Sequence, residues 1–348
     1  MTSAPRFRAA LSLAAASLAA VLVSCAEAPK PPPPPPPTPS VSLSPKLIEQ
    51  ASAYRAYMNN ASAISPAFAD GPQVAQSLKV GAAYEPQQLL RGAIAYAAVV
   101  ALQDPTFVAG VRAYAADPVQ RQSIAYSILR DPAYVIGISG SNSAAGLVIS
   151  ALGSDGRKLY DAGKAVKQAA YDVQHSPWSK GEVANRDMRL NEAKTLSSTV
   201  VLGDVAETSR LQLASNGGAP LGLSGDPASP PYTPVVVRGL AVAALAALGQ
   251  ASDENLAQIL PLMADPTSAT CLKMSKLNLY QCLAVSKPYY EDVFCLGQHV
   301  MIDTGQCVIK GVGATLPMEV VTRPLDLKTT PVTPTSSTGK KPNPKKKR

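Results

Sequence analysis

The chain has 348 residues, 46% hydrophobic, 16% charged and 5% aromatic, with 32 prolines, 23 glycines and two histidines. That length builds one large domain or two small ones. The formal net charge of +8 lies at the chain ends: Arg6 and Arg8 contribute two, and Lys340, Lys341, Lys345, Lys346, Lys347 and Arg348 contribute six, so residues 25–338 sum to zero. A neutral body lacks the basic footprint of nucleic-acid recognition, and no nucleic-acid partner is expected.

Arg6 and Arg8 precede an apolar stretch, residues 9–23, that is too short to span a bilayer comfortably and ends in small residues, so 1–24 reads as an export signal. The run Leu22-Val23-Ser24-Cys25 resembles the lipobox of bacterial lipoprotein precursors. That resemblance implies a diacylglycerol on Cys25, which becomes the mature N-terminus. Ala26 stands where inner-membrane retention uses Asp, which implies the outer membrane with the body in the periplasm. The alternative is an ordinary secretory signal cut after Ala26, since Ser24 and Ala26 satisfy the small-x-small pattern. Either way the body is exported. Two or three acyl chains, at about 0.8 kcal/mol per buried CH₂, anchor stably where one is marginal.

Residues 25–43 form a linker with seven consecutive prolines at 31–37. Polyproline II geometry makes 29–39 a rod of about 34 Å at ~3.1 Å per residue. Strand patterning is scarce beyond it, whereas Ala-rich windows with helix-start residues recur, and the body reads as all-α. Ser44-Pro45 caps a first helix and Asp70 a second; Asp104-Pro105, Asp117-Pro118, Asp131-Pro132 and Asp265-Pro266 repeat the device. Their aspartates read as caps.

Two stretches are weakly similar. Tyr84-Glu85-Pro86, Arg91-Gly92, Asp117-Pro118 and Tyr134 recur in order as Tyr232-Thr233-Pro234, Arg238-Gly239, Asp265-Pro266 and Tyr290. They suggest a duplicated helical unit, with one half at 44–142 and the other at 234–320. Arg91 and Arg238 interrupt apolar helices, where an unpaired charge would cost several kcal/mol, so each is expected to be a structural charge met by a carboxylate or by helix C-terminal carbonyls. Anion binding is the alternative. Residues 143–215 read as a helical hairpin broken near His175-Ser176-Pro177, or as ordinary core helices. Gly146, Gly153, Gly156 and Gly163 mark a seam for close backbone approach. Residues 216–233, rich in Gly, Pro and Ser, read as a loop.

If Cys25 is lipidated, Cys271, Cys282, Cys295 and Cys307 form an even set for an oxidising compartment. A turn near Lys287-Pro288 places Cys282 and Cys295 nearly equidistant from it, as it does Cys271 and Cys307, which favours nested bridges. The local pairing, Cys271 with Cys282 and Cys295 with Cys307, requires a chain reversal in each interval, because eleven helical residues separate α-carbons by about 16 Å. Thr304-Gly305 offers one such reversal, so both maps stand. The cysteine spacings lack the paired knuckles of zinc sites, and no metal or cofactor is expected.

The tail, 321–348, is low-complexity, and its Lys340, Lys341, Lys345, Lys346, Lys347 and Arg348 suit anionic lipid or cell-wall polymer, or simply solvation. No G-x-S-x-G, H-E-x-x-H, phosphate loop or dinucleotide fingerprint occurs. His299 and Asp303, four apart, form a weak candidate pair, with a structural histidine as the plainer reading. The expectation is a membrane-anchored envelope lipoprotein whose body binds or spaces, with an unidentified protein partner. Two alternatives are a cell-wall-acting enzyme or accessory working through carboxylates, and a small-molecule binder with an apolar cleft between the halves bordered by Tyr84, Tyr96, Tyr232 or Tyr289.

Overall fold

Acidic and hydroxyl side chains start the helices of the first half. Ser44 accepts from the Lys46 N–H at the head of α1 (Pro45–Ser62), and Asp70 from Gln73 at α2 (Gly71–Ala82). Glu85 accepts from Gln87 and Gln88 at α3 (Pro86–Ala101), Asp104 from Phe107 at α4 (Pro105–Arg112), and Asp117 from Val119 at α5 (Pro118–Arg130). Asp131 opens a 3₁₀ turn, Pro132–Gly137. Each cap satisfies N–H groups that have no partner within the helix, and proline at the first position forfeits a donor that the helix does not use.

The computed structural model describes residues 38–317, apart from Ser42. Cys25, the segment 1–37 with its prolines, and the tail residues Lys340, Lys341, Lys345, Lys346, Lys347 and Arg348 lie outside the described residues. Among the described residues the chain is all-α, with thirteen α-helices and no strand. The remaining helices are α6 (Ser141–Asp172), α7 (Arg186–Leu196), α8 (Val205–Ser215), α9 (Pro234–Ala247), α10 (Leu256–Ile259), α11 (Pro266–Val285), α12 (Tyr289–Cys295) and α13 (Asp303–Gly311). A π-helical stretch, Leu296–Ile302, joins α12 to α13.

One apolar cluster extends from Leu43 to Val312 around α3 and α9. These two helices of the similar units pack directly on each other: a Cβ on Gly239 would stand 2.5 Å from that of Ala97. The expected cleft between the halves is therefore filled. Tyr84 and Tyr96 are core residues, 2% and 3% exposed, and the half-buried Tyr232 donates to the Ala228 carbonyl at 2.9 Å. Among the described residues no single helix is long and apolar enough to cross a membrane; α3 and α9 are apolar because they are buried.

The long helix expected after residue 143 is α6, about 48 Å at ~1.5 Å per residue. Its return is divided. Residues 197–204 break the second arm: α7 packs on α2 and α11, and α8 packs on α1 and α3. Thr195, Ser197, Ser198 and Thr199 each turn a hydroxyl back onto a carbonyl three or four residues earlier, a bonding mode that competes with helix continuation. The partner of α6 is instead the antiparallel segment from α12 to α13. Of the four seam glycines, Gly156 and Gly163 make this close approach, whereas Gly146 faces the Asp226 carbonyl of the loop at 216–233. A Cβ on Gly163 would lie 2.7 Å from that of Met301, and one on Gly156 would lie 2.8 Å from Ile309 Cγ1. Gly297 and Gly305 answer from the other side, where an added Cβ would come within 2.5 Å of the Lys167 N and 2.8 Å of the Tyr160 N.

The bridges are nested: Cys282 with Cys295 and Cys271 with Cys307, each with α-carbons 5.7 Å apart. The local map is excluded. The inner pair ties α11 to α12 across their turn, and the outer pair ties α11 to α13.

Arg238 donates to the carbonyls of Pro261 and Leu262 at 3.3 Å, at the end of a short 3₁₀ turn, as a structural charge would. Arg91 does not behave this way. It is exposed, with no hydrogen-bond or ion-pair partner among the described residues, so its charge stays hydrated and incurs no burial cost that a partner would have to offset. Helix α3 is buried almost all round, and Arg91 occupies its narrow open strip.

Candidate functional site

A cleft of about 300 Å³ opens where α2, α7 and the start of α12 converge. Ala75 and Leu78 line it from α2, Met188 and Ala193 from α7, and Leu283 and Tyr289 from the α11–α12 corner. Gly71 lets the Tyr289 ring lie against the start of α2, since a Cβ there would come within 2.4 Å of the ring. Asn185, at φ 53°, starts α7 from a left-handed conformation that Asn tolerates better than most residues. Met188 is 64% exposed at the mouth, a large flexible apolar side chain facing water.

The floor is a buried ion pair between Arg189 and Asp292, with side chains 9% and 2% exposed. Arg189 also donates to the Leu283 carbonyl, and Ser286 donates to Asp292 at 2.8 Å. Arg186 completes the arrangement with bonds to the carbonyls of Ser286 at 2.8 Å and Ala284 at 3.0 Å. Two cations of α7 thus cover the C-terminal end of α11, where the last carbonyls lack helical partners and the helix dipole is negative. Burial pushes the Asp292 carboxyl above its ordinary range, against the opposing pull of Arg189 and Ser286. At the mouth Lys79 and Glu192 pair at 2.7 Å, both about 45% exposed. The cleft therefore holds two opposite-charge pairs on apolar walls, an arrangement suited to a largely apolar, uncharged guest.

The sequence did not mark this site. Of the tyrosines expected at a cleft, Tyr289 alone borders it. Arg189 and Asp292 are 103 residues apart and nothing local pairs them. The usable signal was Arg186 and Arg189 on one face of a short polar helix, which asks for a carboxylate or a helix end.

Other candidates resolve into architecture. Asp155, Arg55, Glu207 and Arg210 alternate in charge and tie α1, α6 and α8 together, with Arg55 to Asp155 at 2.5 Å and Arg210 to Glu207 at 2.7 Å. Burial and the Asp155 carboxylate raise the Tyr54 hydroxyl well above its usual range. His299 Nδ1 and Asp303 meet at 2.8 Å, and Gln298 donates to the same carboxylate at 2.9 Å. Burial alone would raise Asp303, yet these hydrogen bonds hold it below the usual carboxylate value. No group of three metal-ligating side chains occurs among the described residues. Comparison with protein-family models, with curated proteins and with solved structures gives no match.

Proposed function

We propose that the chain is a bacterial envelope lipoprotein, lipidated at Cys25 and carried in the outer membrane, whose periplasmic body binds rather than catalyses. The cleft between α2, α7 and α12 is its binding surface, and the cationic tail tethers the protein to anionic lipid or wall polymer. The observation that carries the binding reading is the cleft's own charge balance: Lys79 with Glu192 and Arg189 with Asp292 leave apolar walls for a guest and commit the ionisable groups to each other. Two intact bridges in the body suit an oxidising compartment.

Two measurements test the reading. Wild-type protein should fractionate with membranes and carry acyl mass, and Cys25→Ser should be soluble; membrane retention of the serine variant without acyl mass on the wild type rejects the anchor. An environment-sensitive apolar dye should bind the purified full chain saturably, and Ala75→Trp, which fills the cleft, should abolish that binding. Unchanged dye binding by the tryptophan variant rejects the cleft.

A further inference from the structure

Arg91 and Arg238 hold matching places in two similar helices, each as the Arg of an Arg-Gly step that follows a Tyr-x-Pro start. Both approach the same stretch of chain, the turn at 260–266 that leads into α11. Arg238 is spent on that turn, holding the carbonyls of Pro261 and Leu262. Arg91 lines a pocket of about 300 Å³ on the turn's other side, together with Met263, Asp265, Ala269 and Lys273.

The pocket's chemistry is cationic. Arg91 from α3 and Lys273 from α11 both border it, both are exposed, and neither has an ion-pair partner among the described residues. Gln87, one helical turn before Arg91, adds an exposed amide. The one acid at the pocket, Asp265, is 5% exposed and caps α11 through the Ser268 N–H at 3.0 Å. The walls are fixed in advance: Leu90 and Met263 are buried, and Arg238 clamps the turn.

We propose that this pocket binds a phosphate oxyanion, with the Arg91 guanidinium as the forked donor and Lys273 as the second charge. Two cations on one site match a dianion better than a monoanionic carboxylate, and a guanidinium offers two parallel N–H donors to adjacent phosphate oxygens. The phosphate is free, as a dianion, or belongs to a lipid headgroup, where a diester carries one charge but presents the same pair of oxygens to the guanidinium fork. This site is separate from the apolar cleft and does not depend on it.

The test is site-resolved, because the tail lysines also attract anions. The isotope-labelled mature chain is titrated with inorganic phosphate and with acetate at matched ionic strength, following the backbone amides of Thr270 and Lys273. Saturable shifts are expected at both amides, at lower concentration for phosphate than for acetate. Arg91→Gln should weaken phosphate at least about tenfold, since it removes both arms of the charged fork. Lys273→Gln should weaken it too, and Arg91→Lys should retain part of the affinity. Because both residues are exposed, the variants should melt with the wild type. Vesicles containing phosphatidylglycerol, compared with phosphatidylcholine alone, then separate the sources. Broadening of the same amides by the anionic vesicles, reversed by free phosphate, identifies a headgroup, and a response to free phosphate alone identifies a soluble ligand. Absence of saturable shifts at Thr270 and Lys273, or equal shifts in Arg91→Gln, overturns the proposal.

Discussion

Lys276 Nζ sits 3.4 Å from the centre of the Tyr84 ring and donates to the Ala82 carbonyl at 2.6 Å, in the core. No carboxylate pairs with it among the described residues; the ring face and one carbonyl are its partners. Burial drives its pKa well below the ordinary lysine value, with Glu85 opposing weakly. A lysine with a depressed folded pKa destabilises the fold most at pH below that pKa. The penalty fades as pH rises through the window up to the unfolded value, about 10.4.

Replacing this residue with methionine removes the penalty and keeps most of the volume. Lys276→Met should therefore be at least as stable as wild type at pH 7, and its advantage should shrink toward pH 10. Urea denaturation at the two pH values measures this; a variant markedly weaker at pH 7 shows that the cation and ring attract more than burial costs.

Arg189 makes the opposite case. Arg189→Met leaves the Asp292 carboxylate buried without its counter-charge, a loss of about 3–5 kcal/mol. The bare carboxyl is raised further, so it is tolerated when protonated and penalised as pH rises through its folded pKa. The deficit should thus be smaller at pH 4 than at pH 7. Adding Asp292→Leu should restore much of the loss, which chemical denaturation of the single and double variants reads directly.

How far the sequence disclosed these features follows from distance along the chain. Helix caps at Asp104, Asp117 and Asp265 were legible because a cap bonds an N–H two or three residues away. One turn and the symmetry around it favoured the nested bridges, but the local pairing stayed open in the sequence until α11 was seen to run unbroken through Cys271 and Cys282. The seam of Gly156 and Gly163 was visible as spacing, but its partner was not, since Met301 and Gly305 lie more than 130 residues downstream. Arg91 misled because an Ala-rich helix shows no face, so the strip left open is set by its neighbours. The Arg189–Asp292 floor, equally long-range, had no local trace.

At Gly163 packing opposes helix propensity. Ala is the better helix former by up to about 1 kcal/mol, yet its methyl would meet Met301 Cβ at 2.7 Å and the Ile302 N at 2.8 Å. Overpacking of this kind costs about 1–3 kcal/mol, so Gly163→Ala should lower the melting temperature. A rise would show that α6 and the π-helical stretch can separate slightly without loss.

The bridges should differ in worth. They close loops of 13 and 36 residues, and the chain-entropy relation assigns about 3 and 4 kcal/mol to them respectively. Paired Cys→Ala replacement at 271 and 307 should therefore destabilise more than at 282 and 295, by denaturant midpoint. Non-reducing peptide mapping should recover the same pairings in the purified protein.

Nesting also sets how the body answers a pull on its two ends. Tension entering near residue 38 and leaving near residue 317 crosses from Cys271 to Cys307 through the outer bridge, so the residues between them bear none of the load. At ~3.4 Å per residue this withholds about 120 Å of extension from an unfolding chain. The inner bridge lies inside that sheltered loop and feels force only once the outer one is reduced. Under load the two thiol pairs are thus ordered in series, and a reductant would have to open Cys271–Cys307 before Cys282–Cys295 carried any strain.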